Sequence, residues 1–194
     1  LVAAIDAALA SYAQQGIEFD VDAARRDVIE FFITRTKVMM RDAGNSIDAI
    51  DAVLSAGIQE PVELINRVSA LEAARSEQPE VFEDLATAYA RANNLCDSEL
   101  GTEVNEGLLS EVEQALVHAV GLAESNVASA LENNNYAAAL AELAALRKPI
   151  DLFFENTMVM DEDQALRENR LRLLNSFVAV FANVADFALL SKVK

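Results

Sequence analysis

Apolar residues recur along this chain at steps of three and four, and the one stretch that reads as extended, "NTMVM", is short. Such spacing gathers side chains on one face of an α-helix. The first helix is expected over Val2–Gln14, ending near Gly16. The second starts near Asp22 and runs through "ARRDVIEFFITRTKVMMRDA" to Gly44, which stands where a C′ glycine belongs. Ser46 or Asp48 caps a short helix ending at Gly57. Pro61 and Pro79 suit first helical positions and open helices over 61–75 and 79–95. "CDSELGTEVNEG" carries no period, so a loop falls near 96–107. A long helix is expected over 108–132, and "NNN" at 133–135 is a turn. The next helix begins near Tyr136, breaks or kinks at Pro149, and resumes through "IDLFFEN". The last helix is expected over 162–190. The predicted fold class is all-α, a multi-helix bundle of antiparallel helices.

The last helix poses a question. Leu174, Phe177, Phe181, Val184 and Ala188 follow one another at helical steps, and the same stripe extended backwards reaches Arg170 and Arg167. Two arginines therefore open the face that buries Leu and Phe farther on. Either Arg170 pairs with Asp151, Glu155 or a backbone carbonyl and pins the preceding turn, or the arginines reach past the core edge to an anionic surface. Asp161 and Gln164 have capping-box spacing, and the acids at 161–163 complement the positive end of the helix.

Composition supports helices: 53% of the residues are hydrophobic, with only 6 Gly and 3 Pro. The single cysteine, Cys96, excludes an internal disulfide and fits a reducing, cytoplasmic setting. The uncharged run 173–185 is too short to span a bilayer, and no basic segment precedes the first helix, so a soluble fragment of a longer protein is expected. The net charge of −17 is unevenly spread. Residues 42–144 carry 3 bases and 19 acids, residues 22–41 are net +2, and residues 145–194 carry 7 of each sign. A polyanion would have to use the last fifty residues or the helix near Arg35; the acids read as solvated faces.

Nothing in the chain spells catalysis. There is no Gly-rich phosphate loop, CxxC pair or tandem repeat. Asp161–Asp163 has no Glu-x-x-His partner and reads as a helix start rather than a metal site. His118 is the only histidine and lacks a zinc partner, and Cys96 has no base near it in sequence. Met39, Met40, Met158 and Met160 read as core filler, and Phe153 and Phe154 as core rather than base-stacking platforms. The residues alone describe a non-catalytic helical domain that binds something through a bundle.

"RKPIDLFFENTMVMDEDQALRENRLRLLNSF" adds a resemblance. It is similar to DALR anticodon-binding domains and, more closely, to the C-terminal region of β subunits of two-subunit bacterial glycyl-tRNA synthetases. The shared pattern is Phe153–Phe154, the turn from Met158 to Met160, the acids at 161–163, and Arg167, Arg170 and Leu171. The name-giving tetrapeptide stands here as "QALR", residues 164–167. Two upstream segments agree: "LATAYARANNL", with Ala90 where a lysine is expected and Arg91 and Asn94 in place, and "VIEFFITRTKVMMRDAGNSIDAIDAVLS". Together they cover roughly residues 25–190.

The resemblance implies a division into residues 1–75, helices trailing an HD-like domain, and 76–194, the anticodon-binding module. It implies a tRNA-reading, non-catalytic part of a glycine–tRNA ligase whose partners are glycine tRNA, the α subunit and the remainder of the β subunit, with no DNA and no membrane. ATP and Mg would serve the whole enzyme, and this part would hold no cofactor. The residues carried over as tRNA contacts are Arg91, Asn94, Arg147, Lys148, Arg167, Arg170 and Arg172, with Arg170 also fitting a structural role. The alternative is a helical module that contacts only protein. A shared basic face built by Arg147, Lys148, Arg167 and Arg172 would favour tRNA; scattering of these residues among acids would favour protein.

Overall fold

A computed structural model describes residues 1–190; residues 191–194, the end of the expected anticodon-binding segment, lie outside the described part. Ten α-helical elements follow in order: α1 (Val2–Gln14), α2 (Val21–Asp42), α3 (Ile47–Ser55), α4 (Pro61–Glu77), α5 (Pro79–Asn93), α6 (Glu111–Glu132), α7 (Tyr136–Ala145), α8 (Arg147–Asn156), α9 (Gln164–Ala182) and α10 (Phe187–Leu190). Two 3₁₀ turns, Ser98–Leu100 and Glu106–Leu108, sit in the connection before α6. No strand occurs among the described residues, so the fold is all-α.

The start and stop signals act through identifiable bonds. Gly44 takes φ 96° after α2, and the amides of Gly44 and Asn45 donate to the carbonyls of Arg41 and Met40. Pro149 lacks an N–H, and its ring would collide with the carbonyl four residues back, so the helix breaks at Leu146 and Pro149 falls in the first turn of α8. Asn134 adopts φ 53° in the α6–α7 turn, and Asn135 caps α7 by accepting from the Ala138 amide at 3.1 Å. Ser46 precedes α3, but its side chain does not cap; its hydroxyl donates to Glu72, and Arg75 bridges to Asp48 at 2.7 Å, tying α3 to α4.

The expected final helix is interrupted. α9 ends at Ala182, and residues 183–186 turn before α10. The cause is Arg67 on α4, only 6% exposed, whose guanidinium donates to the carbonyls of Asn183 and Val184 and pairs with Glu63. A cation on the last carbonyls neutralises the negative helix end, and the Asp186 amide leaves the helix to donate to Ala52 O at 2.9 Å. The stripe therefore runs only through Leu174, Phe177 and Phe181, while Val184 is buried at the break.

α3 packs on α4 and α10, α4 also on α7, and α5 on α8, α9 and α10; α6 contacts α7, α8 and α9. One apolar cluster runs from Met40 to Leu190 and crosses position 75/76 without a gap. Its centre is aromatic: the Phe181 ring lies 5.0 Å from Tyr89, 5.1 Å from Phe177 and 4.9 Å from Phe187. The α1–α2 hairpin stands largely outside it. α2 buries only Thr36 and Met40 and exposes Phe31, Phe32 and Met39.

Phe181 joins α5, α9 and α10 and is fully buried. Phe181→Ala is expected to cost about 3–5 kcal/mol, read from the shift in urea denaturation midpoint.

Candidate nucleic-acid interface

α5 and α8 meet in parallel. Arg147 at the start of α8 pairs with Asp84 at 2.6 Å, and Arg91 lies over the ring of Phe154 with its guanidinium carbon 3.9 Å from the centroid. Each contact is seven residues beyond its predecessor on both helices, which fixes the direction. α9 runs antiparallel to α5: Tyr89 faces Phe181, and the backbone at Asp97 meets Asn175. The ends of α5 and α8 and the starts of α6 and α9 therefore gather at one end of the bundle, together with the connections 94–110 and 157–163.

Polar side chains of α9 organise that end. Asp163 is the N-cap, accepting from the amides of Ala165 and Leu166 at 2.8 and 3.3 Å, so Asp161 is not the cap that its spacing suggested. Asp161 instead receives Arg170 at 2.7 Å. Arg170 also donates to Met158 O at 3.0 Å and to Glu113 of α6 at 2.6 Å. The backbone carbonyl was among the expected partners; Asp151 and Glu155 are not the carboxylates used. Asn169 exchanges two bonds with the Asn105 backbone, 2.7 and 3.1 Å, and Asn175 holds Asp97 N, Asp97 O and Gly101 O at 3.1, 2.6 and 2.7 Å. Arg172 donates to Leu100 O at 3.2 Å and pairs with Glu168, while Arg167 donates to Asp161 O at 2.8 Å. One helix thus pins both connections.

The carried-over residues separate into kinds. Arg91, Asn94, Arg167, Arg170 and Arg172 share the organised end; Arg147 and Lys148 sit two turns back along α8, about 10 Å at 1.5 Å per residue. Arg147 lies between Asp84 and Asp151, and Arg172 is tied to Glu168, so Arg147, Lys148, Arg167 and Arg172 do not build the shared basic face that would favour tRNA, and on this count the arrangement favours a protein partner. Arg170, 13% exposed and bonded to three acceptors, is a brace. Arg91 and Lys148 are exposed, and neither meets a carboxylate among the described residues. Arg91 keeps one guanidinium face on Phe154 and is itself exposed, a planar cation of the kind on which bases stack.

Phe153 and Phe154 are buried as expected, but Met158 and Met160 are not core filler: both are exposed, and Val159 between them is buried. Met39 is exposed too, whereas Met40 is core. Burial raises the half-buried Cys96 thiol to about 11, and His118 is exposed on α6. Among the described residues no three His, Cys, Asp or Glu side chains gather as a metal site. Sequence reasoning missed Glu113, Asn169 and Asn175. Ser110 and Glu113 do have capping-box spacing, and the box forms, with Ser110 N donating to Glu113 at 2.6 Å. Asn169 and Asn175 carry no local signal, because their partners lie 64 to 78 residues away.

Burial pushes the Glu113 carboxyl up, but the bonds from Arg170 and Ser110 outweigh it and hold the group below the usual carboxylate range. Its side chain is only 2% exposed, so Arg170→Ala strands a buried charge. A loss of about 3–5 kcal/mol is expected in urea denaturation at pH 7, against about 1 kcal/mol for Arg167→Ala, which removes a single carbonyl bond. A lowered carboxylate stabilises the fold above its ordinary value near 4.3 and stops doing so as pH falls through the lowered one. The stability gap between the unaltered chain and Glu113→Gln should therefore be flat from about pH 7 to 5 and close below about pH 4.

Residues 85–190 match the DALR anticodon binding domain family. The chain is 37% identical over 179 residues to the glycine–tRNA ligase beta subunit of Syntrophus aciditrophicus, a match covering 92% of this chain and 26% of that protein. It is 41% identical to the subunit of the same name from Desulforamulus reducens, over 90% of this chain and 25% of that protein. With that of Vibrio cholerae it is 42% identical, over 86% and 25%. The chain spans about a quarter of the length of these curated relatives. The family match runs from within α5 to the end of α10, the part of the bundle in which α9 braces two connections, and by that match the chain belongs to the DALR anticodon-binding domain family.

Proposed function

We propose that this chain is the tRNA-recognising part of a glycine–tRNA ligase β subunit. It holds the anticodon stem-loop of glycine tRNA while the α subunit carries out ATP-dependent aminoacylation. The observation that carries the reading is the organised end of the bundle, where Arg91, Asn94 and Arg167 lie within the segment that matches anticodon-binding domains. On this reading the chain works in the cytoplasm beside the α subunit and the rest of the β subunit, and has no catalytic residue of its own. Among the described residues no helix is long and apolar enough to cross a membrane. ATP and magnesium belong to the whole ligase.

The mechanism is placement. Braced connections present fixed backbone and side-chain groups to the unstacked bases of a loop, which expose their edges and faces as a duplex does not. Few cations at this end lack a carboxylate partner, so short-range contacts carry more of the affinity than phosphate neutralisation does. A second reading, a module that binds only protein, draws on α2, whose exposed Phe31, Phe32 and Met39 lie beside an already paired Lys37 and Arg41.

Titration of the chain with glycine tRNA, and with the same tRNA carrying an altered anticodon, tests the reading. Binding should weaken with the altered anticodon. With two or three phosphates neutralised, log affinity against log salt should have a slope of about −2, well short of the steep dependence of basic RNA binders. Arg91→Ala should weaken cognate binding roughly five- to tenfold through lost stacking. Equal binding to both tRNAs, or none, would leave the protein-only reading standing.

A further inference from the structure

Met158 and Met160 stand in the short connection between α8 and α9, and the chain gives them a deliberate setting. Met158 is 74% exposed, the most exposed of the large hydrophobic side chains among the described residues, and Met160 is 58% exposed. Val159 between them is buried. Thr157 before them is extended, and the connection turns Val159 into the core while leaving both thioethers outside.

This connection is held at several points. Arg170 donates to Met158 O at 3.0 Å, Arg167 donates to Asp161 O at 2.8 Å, and Asp163 N donates to Asp161 at 3.0 Å. Two arginines of α9 therefore fix the backbone that carries two exposed thioethers. Phe154, one turn before Met158, carries Arg91 on its ring. Of the acids in the same segment, Asp161 is engaged by Arg170 and Asp163 by the first amides of α9, while Glu162 is exposed and meets no cation among the described residues. An apolar lip on a braced backbone, one helical turn beyond the ring that carries the exposed Arg91 guanidinium and with Glu162 beside it, suits flat, π-rich groups better than phosphates.

We propose that Met158 and Met160 contact unstacked bases of the anticodon loop, forming with Arg91 the surface on which those bases rest. This rests on the tRNA-recognition reading above. Thioethers are polarisable and adaptable, so they accept the faces of different bases, and Arg91 supplies a cationic plane of the same orientation-tolerant kind. Recognition by this lip is by shape and stacking, with the brace of Arg170 and Glu113 setting its position and not touching RNA.

The chain contains only four methionines, Met39, Met40, Met158 and Met160, which makes the test direct. With the methionine methyl groups carbon-13 labelled and assigned by single Met→Leu substitutions, the anticodon stem-loop RNA of glycine tRNA is added. The Met158 and Met160 methyls should move upfield, as base ring currents require, while buried Met40 and the exposed but distant Met39 stay in place. A stem-loop with abasic anticodon positions should lose that shift. Met158→Ser with Met160→Ser, both at exposed positions, should weaken cognate binding at least about fivefold and leave the thermal midpoint unchanged. RNA that binds by fluorescence anisotropy without moving these methyls overturns the proposal and leaves the lip to a protein contact. Movement of Met39 alone relocates the RNA to α2 and overturns it equally. Absence of any RNA binding overturns the tRNA-recognition reading itself.

Discussion

The Arg170 guanidinium sits where α6, α9 and the 157–163 connection converge, and its protons go to Glu113, Asp161 and the Met158 carbonyl. Glu113 is buried and has no other cation among the described residues, while its second oxygen accepts from the Ser110 amide. The start of α6, the start of α9 and the turn before α9 are thus one electrostatic unit. Charges removed from water need full pairing, and here the pairing is full: no buried side-chain nitrogen or oxygen among the described residues lacks a partner. The neighbouring Asn169 and Asn175 extend the same logic to the 94–110 connection, where each amide satisfies both a donor and an acceptor of the loop backbone. Loops without periodic structure of their own acquire fixed conformations from a helix that is polar at one end and apolar at the other.

On the proposed tRNA-recognition reading, that arrangement resolves the conflict between an acidic chain and an anionic partner. At −17 the protein repels RNA at long range, and several basic side chains are already neutralised by carboxylates, Arg147 and Arg172 among them. What remains at the organised end is one planar cation on an aromatic ring, a few polar groups and an apolar lip. Such a surface discriminates at contact distance and contributes little to attraction from afar. In a protein about four times longer, as the relatives are, attraction and discrimination need not reside in the same quarter of the chain.

Much of the fold was legible in the sequence because helix boundaries are written locally. Gly44, Pro61, Pro79, Asn134 and Pro149 each act within four residues of themselves, and each marks an element edge in the structure. The break at 183–186 was not legible, because its cause is Arg67, 116 residues upstream. The same distinction runs through the site. The resemblance brought Arg91, Asn94 and Arg167 to one end, yet it grouped Arg170 and Arg172 with them although both are occupied by partners far away in sequence. The exposed Met158 and Met160 were hidden by a rule of composition: methionine between apolar neighbours reads as core, and only the folded connection after α8 shows Val159 turned in and both methionines turned out.

That two arginines begin a face that buries leucine and phenylalanine has a physical reason in this division. The stripe does not change its character at Arg170; it changes its neighbour. Beyond Leu174 the facing surface is the aromatic core of α5 and α10, and before it the facing surface is backbone. Carbonyls of an irregular connection cannot be satisfied by leucine, and those of Asp161 and Leu100 are partly withdrawn from water. Arginine is suited to both demands, since its stem lies on apolar ground while its planar head carries five donors in a fixed fork. Lysine at 170 would keep the charge but present a single point, too few directions for a carboxylate on α6, another on the turn and a carbonyl between them. The face is continuous as packing, and its polar end is the part that makes a loop rigid enough to be a binding surface.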